Sequence, residues 1–302
     1  MNNHVLNGVI PINKDKGVTS HDVVAKARRI LHEKRIGHSG TLDPLASGVL
    51  PLFIGFATRA IEFAADGGKA YRATLCLGAE TTTYDAEGEI LFERPVSNAI
   101  DAALLQSVSA QFIGDILQVP PKYSALKIQG KRMYELARAG VDFAPKPRPV
   151  HIDAITIVSV RLPEVVIDIE CGSGVYIRSF AHDIGAIVET GAFLQNLERT
   201  RSGPWKLQDC ITLEELAAIA ETEQLRDSIF AADTCMTHLP AAIIAKDSAR
   251  RLLQGLRLSM KLVQPSGVLR VYTCEGDFVG IARYDTEMEL LTPVKMMLYE
   301  NI

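Results

Sequence analysis

The chain has 302 residues, 47 % hydrophobic and 23 % charged, which suits one full-sized domain with a small companion or two medium domains and excludes wholesale disorder. Its richest apolar run, Val49 to Ala57, is too short to span a membrane and is broken by Pro51 and Gly55. The start, Met-Asn-Asn-His-Val, lacks the basic and apolar parts of a secretory signal, so no membrane association and a cytoplasmic location are expected.

Thr19 and Ser20 precede Val23, Val24, Ala27, Ile30 and Leu31, a spacing that predicts a helix ending near Glu33. Strands are expected at Val49 to Ile54, Tyr71 to Leu77 and Glu89 to Phe92, then a helix over Ile100 to Phe112. Lys131 to Ala139 reads as an amphipathic helix, and Ala144-Pro-Lys-Pro-Arg-Pro149 as a stiff connector. Ala154 to Arg161 and Val165 to Cys171 read as a hairpin, followed by a helix from Ile177 to Val188 closed by Gly191. Thr212-Leu-Glu-Glu215 is a capping box that opens another helix. From about Pro240 the pattern changes to one helix, Asp247 to Gln254, among short strands at Leu269 to Cys274 and Phe278 to Tyr284. Strands interrupted by helices without regular βαβ alternation indicate an α+β fold with a mixed, largely antiparallel sheet.

Cys76, Cys171, Cys210, Cys235 and Cys274 are odd in number, far apart and never in a Cys-x-x-Cys arrangement, so neither a disulfide framework nor a metal site is expected. A net charge of −4 works against general nucleic-acid affinity, but charge is uneven along the chain. Lys122, Lys127, Lys131, Arg132, Arg138, Lys146 and Arg148 stand against Glu135 and Asp142, leaving that stretch at net +5. Tyr123 and Tyr134 lie within it and offer stacking or packing faces, whereas charge alone favours a solvated helix face for the stretch.

The segment from Lys34 to Leu50 sets a single carboxylate, Asp43, among glycines, a proline and aliphatic residues. Gly37, Gly40 and Gly48 let the backbone turn or approach a bulky ligand, while Leu42, Leu45, Val49 and Leu50 anchor the loop. Asp43 is therefore a candidate for chemistry, and Asp followed by Pro44 also fits a short helix capped by Asp43.

Gly37-His-Ser-Gly-Thr-Leu-Asp-Pro-Leu-Ala-Ser-Gly-Val-Leu50 resembles the signature of the TruB family of pseudouridine synthases. Lys69-Ala-Tyr-Arg-Ala, the block from Val119 to Arg138, and Gly174-Val-Tyr-Ile-Arg-Ser are similar to further family blocks in the same order. The resemblance implies a pseudouridine synthase fold over residues 1–235, with a basic RNA-binding insertion at about 120–150, and a small β-rich PUA-like RNA-binding domain over 236–302. It implies isomerisation of the T-loop uridine at tRNA position 55, with Asp43 as nucleophile, Arg178 as its ion-pair partner and Tyr71 stacking on the base and moving protons.

By the same resemblance, Tyr176 forms a second pocket wall, Leu197 packs on the base, and His38 approaches the flipped nucleotide. Lys14, Lys122, Lys127, Lys131 and Arg132 complete the substrate-binding set. The expected partner is the tRNA T-arm, met by a monomer that uses neither metal nor cofactor. Two departures stand out: Asp15 replaces a family proline in Lys14-Asp-Lys-Gly17, which puts the ordering of Lys14 in question, and Ser47 replaces a common threonine. Two alternatives are an RNA-binding chaperone that refolds tRNA and a pseudouridine synthase acting on another structured RNA. A glycoside or nucleoside hydrolase would need a second carboxylate, for which the sequence offers no obvious candidate.

Overall fold

The apolar run after the Asp43 loop forms a strand, Ala46–Ile54, that is buried on both faces. The structure, a computed structural model, describes residues 6–64, 67–128 and 130–297. Leu50, Leu52 and Ile54 pack into one core with Ile10, Ile12, Val23 and Ala27. The alternate residues Val49 and Phe53 pack into a second core with Val9, Trp205, Met236 and Ile281. Burial on both sides is why this strand reads as a continuous apolar run instead of an alternation.

The strands of the main sheet are β1 (Gly8–Lys14), β2 (Ile36–His38), β3 (Ala46–Ile54), β4 (Lys69–Leu77), β5 (Gly114–Gln118), β6 (Arg148–Arg161), β7 (Glu164–Cys171) and β8 (Ala192–Ser202). Among the described residues they run in the order β1-β3-β8-β4-β7-β6-β5 within a nine-stranded sheet, with β2 beside β3 and the short Trp205–Lys206 strand beside β8. Pairing of β3 with β8 is parallel and the other pairs in this sheet are antiparallel, so the sheet is mixed and largely antiparallel. The predicted hairpin is β6 and β7, but β6 opens at Arg148, so Arg148 and Pro149 belong to a strand and not to the expected connector.

Helix α1 (Ser20–Ile30) starts where expected, because Thr19 and Asp22 form a reciprocal capping box. Helices α2 (Ala102–Ala110) and α4 (Ile177–Ile187) bury Leu105, Val108, Phe180 and Ile184 against the same sheet face as α1. The expected helix from Lys131 is shorter: α3 covers Met133–Arg138, and Lys131 and Arg132 instead pair with Lys127 and Ile128 in a two-residue ladder. The tail forms its own five-stranded sheet between Ala241 and Met296, with the helix Lys246–Leu253 burying Ala249 and Leu252 on Leu269, Val271 and Leu291. This is the small β-rich C-terminal domain.

One register across the main sheet positions the site. Lys14 of β1 pairs with Gly48 of β3, Gly48 with Arg199 of β8, and Arg199 with Tyr71 of β4. These residues share the helix-covered face. Gly48 has φ +101°, and a Cβ there would overlap the Arg199 carbonyl, so only glycine lets the two strands approach this closely. Among the described residues, no helix is long and apolar enough to cross a membrane, and Cys76, Cys171, Cys210, Cys235 and Cys274 are free thiols.

Candidate active site

The loop between β2 and β3 is pinned at several points. The Ser20 hydroxyl donates to the Leu42 carbonyl (3.0 Å) and accepts from the Leu42 N–H (2.9 Å), and the Gly17 N–H donates to the Pro44 carbonyl (2.7 Å). Leu42 and Leu45 are buried. Asp43 does not cap a helix: its carbonyl accepts from the Ala46 N–H (3.0 Å) in a turn that leads directly into β3. Its carboxylate is left partly exposed, facing the cavity, while the backbone around it is fixed.

Arg178 enters from the first turn of α4, almost wholly buried. Its Nε lies 2.9 Å from Asp43 Oδ2, its Nη2 donates to the Tyr123 carbonyl (3.0 Å), and its Nη1 donates to the Thr83 carbonyl (3.4 Å). That Nη1 also faces Asp85 Oδ2 at 3.4 Å. Asp85 is buried, and its other oxygen accepts from the Thr83 hydroxyl and the Glu87 N–H. One guanidinium therefore joins two carboxylates and two loop carbonyls through a planar fork that lysine cannot reproduce.

Beside this network lies a cavity of about 250 Å³, with room for one nucleoside, lined by Asp43, Tyr71, Tyr176, Arg178, Leu197 and Arg199 among others. Tyr71 and Leu197 are nearly buried. Burial pushes the Tyr71 phenol above the ordinary tyrosine range, and the nearby Arg199 guanidinium opposes that rise. Burial also raises Tyr176, against a hydrogen bond with Ser124. The Tyr176 backbone is held by Gln118, whose amide accepts from its N–H (2.8 Å) and donates to its carbonyl (3.0 Å).

A wider cleft of about 830 Å³ opens from Asp43 toward the basic insertion and is lined by His21, Lys127, Arg132, Tyr134 and Arg138. Arg132 and Arg138 flank the Tyr134 ring at 5.8 and 5.7 Å. Lys122 and Lys131 are exposed outside this lining, Lys122 lying 3.5 Å from Asp142. His38 stands edge-on to His21, with ring centroids 6.2 Å apart, and burial pushes it down to about 4. It is therefore neutral at neutral pH, and His21 is the imidazole that reaches the cleft.

Lys14 is the one expected substrate contact that the geometry contradicts. It is 1 % exposed, and its Nζ donates to the carbonyls of Asp15 (2.8 Å) and Val18 (2.7 Å), so it braces the loop beneath the site instead of meeting a ligand. Burial lowers it to about 8. Asp15 contributes only its carbonyl to this bond, so the missing proline leaves Lys14 ordered.

Sequence reasoning missed Asp85, Arg199 and His21. Asp85 follows Thr81-Thr-Thr-Tyr84, whose turn-forming residues were its only signal. Among the described residues, no group of three or more His, Cys, Asp or Glu side chains is gathered to hold a metal ion.

Residues 28–177 match the family model described as TruB family pseudouridylate synthase (N terminal domain). Residues 178–237 match the tRNA pseudouridylate synthase B C-terminal domain, and residues 240–296 match Pseudouridine synthase II TruB, C-terminal. The chain is 41 % identical over 290 residues to the tRNA pseudouridine synthase B of Burkholderia mallei, covering 94 % of this chain and 95 % of that one. It is 39 % identical over 303 residues to the protein of the same name from Alkaliphilus oremlandii, covering 98 % and 100 %. Among solved structures, it superposes on a chain of a Cbf5-Nop10-Gar1 complex with a TM-score of 0.76 at 26 % identity, covering 98 % of this chain and 86 % of that one. A chain of the archaeal box H/ACA sRNP Nop10-Cbf5 complex gives 0.75 at 25 %, covering 98 % and 87 %. The chain belongs to the TruB family of pseudouridylate synthases.

Proposed function

We propose that this protein isomerises a uridine of tRNA to pseudouridine, and that its target is the T-loop uridine at position 55. The observation that carries the reading is the pairing of Asp43 with Arg178 at the edge of a nucleoside-sized cavity that opens into a cleft lined by cations and a tyrosine. The relatives named tRNA pseudouridine synthase B support the substrate class.

The reaction breaks the N1–C1′ bond, turns the uracil within the pocket and joins C5 to C1′. Asp43 stands to attack C1′ or to stabilise positive charge there, as carboxylates do at anomeric carbons. Arg178 holds that carboxylate at a fixed angle. Tyr71 and Tyr176 sandwich the extruded base, Leu197 packs on it, and Tyr71 moves the proton that C5 loses and N1 gains. Extruding a base costs a few kcal/mol, which stacking on the two tyrosines offsets.

Lys127 and Arg132, with Arg138 and Tyr134, meet the phosphates and bases of the T-arm, with Lys122 and Lys131 on the outer rim, His21 at the flipped nucleotide and His38 packed against His21. Lys14 braces the loop below. Residues 1–235 form the catalytic domain and 236–302 an RNA-binding module, and the protein acts as a monomer in the cytoplasm. Incubation with an unmodified tRNA transcript, followed by carbodiimide adduct formation and primer extension, tests this: one stop at the T-loop uridine is expected, and a stop elsewhere or none refutes the assignment.

A further inference from the structure

Arg199 is a buried cation without a counter-ion. Its side chain is fully enclosed, its Nε donates to the Val49 carbonyl (2.6 Å), and its Nη2 donates to the Gly40 carbonyl (3.0 Å). Nη1 is buried with no hydrogen-bond partner, and among the described residues no carboxylate lies within ion-pair distance of the guanidinium. Enclosing an unneutralised charge and an unsatisfied N–H is costly, and such groups call for an explanation. Packing alone does not supply one, because an apolar side chain would fill this position at lower cost.

The placement of Arg199 supplies one. It stands directly across from Tyr71 in the β8/β4 pair, and both residues line the nucleoside cavity. Its two bonded carbonyls belong to β3 and to the loop that presents Asp43, so one guanidinium ties the Asp43 loop to the strand opposite Tyr71. Gly40 leaves the space next to Nη1 open: a Cβ there would sit 3.3 Å from Nη1 and 3.4 Å from Lys69 Nζ. Two cations thus face the same point at the cavity edge.

We infer that Arg199 is a positioning residue for the isomerisation: it fixes the Tyr71 phenol relative to Asp43 and supplies the buried positive charge against which that phenol gives up and takes back a proton. This rests on the function proposed above. With Tyr71 in its phenolate form, its oxygen takes the C5–H proton once C5 has joined C1′ and then returns one proton to N1, which has lost its bond to C1′. The balance is therefore closed, and Tyr71 ends as it began. The charged and titratable groups facing Tyr71 are Arg199 from β8, Cys171 from β7 and Asp43 from the loop, with Lys69 on its own strand and Arg178 and Tyr176 from α4 and its cap. Cys171 is raised to about 12 by burial and stays neutral. Arg199 is thus the cation that works on the phenol against its burial.

The test compares Arg199→Lys with Arg199→Met in single-turnover reactions with saturating tRNA transcript from pH 6 to 10, beside the titration of the Tyr71 ¹³Cζ resonance, assigned by its loss in Tyr71→Phe. In Arg199→Met the rate at neutral pH should fall by at least about tenfold and recover toward alkaline pH, with tRNA affinity kept and the Tyr71 resonance titrating at higher pH than in the wild type. Arg199→Lys should keep the wild-type profile shape and most of the rate. If Arg199→Met does not fold, the resonance in Arg199→Lys decides: a Tyr71 titration within a few tenths of a pH unit of wild type supports the charge role, and a shift as large as the loss of Arg199 charge would cause overturns it. A uniformly lowered profile with an unmoved Tyr71 titration also overturns it and leaves Arg199 as a core brace. Absence of pseudouridine with the wild-type protein would refute the underlying function instead, while the Tyr71 titration would remain measurable.

Discussion

The Arg178 Nε lies 2.9 Å from Asp43 Oδ2, and the same guanidinium faces the enclosed carboxylate of Asp85. Removing the cation strands Asp85 more than Asp43, because Asp85 is buried and Asp43 is partly open to solvent. Arg178→Met is therefore expected to lower stability by roughly 3–5 kcal/mol. The double variant Arg178→Met with Asp85→Asn should regain part of that loss in urea denaturation. Arg178→Lys keeps charge but not the fork, so it should be more stable than the methionine variant and still lose most activity.

In the wide cleft, Lys127 and Arg132 line the opening whereas Lys122 and Lys131 do not. Alanine at Lys127 or Arg132 should each reduce the slope of log affinity against log salt by about 0.7–0.9. Substitutions at Lys122 or Lys131 should change it less. The RNA-saturated rate should fall less than affinity does, since these side chains position the substrate. Equal slopes for all four variants would contradict the assignment of the cleft.

His38 supplies a pH dependence of stability. Its folded value, about 4, lies below the unfolded value of about 6.5, so the unfolded chain binds the proton first. Stability is thus unaffected by His38 above about pH 6.5 and is lost progressively as pH falls from there toward about 4. His38→Gln should move the acid-unfolding midpoint, followed by far-UV circular dichroism, to lower pH. A midpoint that moves upward would mean that His38 is charged and stabilised in the folded protein.

Gly48→Ala should be among the most damaging single-methyl changes in the protein, since the new Cβ meets the Arg199 carbonyl and the backbone is left-handed there. A loss on the order of 3–5 kcal/mol is expected in urea denaturation. Gly172→Ala is the control, because its nearest neighbours would lie 3.7 Å away and its φ is ordinary, so it should cost little.

Helices α1, α2 and α4 were legible because each carries a capping signal or an apolar period, as with Thr19 and Asp22 or the Phe180 and Ile184 face. Strand β8 was not legible. Its Leu-Gln-Asn-Leu-Glu-Arg-Thr sequence looks polar for a central strand, because Arg199 is buried there by the site and its other charged residues lie at half-exposed positions. Local pattern is overridden where a strand serves a polar site. Strand β5 was hidden because its only apolar residues, Ile116 and Leu117, are adjacent instead of alternating, which an edge strand in a mixed sheet tolerates. At the site, Asp43, Tyr71 and Arg178 were readable as family blocks, and the structure gathers them around one cavity. Asp85 and Arg199 were not, because their roles depend on which cation or phenol they oppose across the fold. Lys14 was misread for the same reason: its burial follows from the β1 and β3 register, which the local sequence does not carry.

The central claim, that the Asp43 carboxylate performs the chemistry while the rest of the cleft binds the RNA, is tested most directly by Asp43→Asn. The substitution is nearly isosteric and leaves the loop's anchoring bonds intact. Tritium release from C5-labelled uridine in a tRNA transcript should fall on the order of 10³-fold or more, with affinity for the transcript within a few-fold of wild type. Release at a rate comparable to wild type would contradict the account.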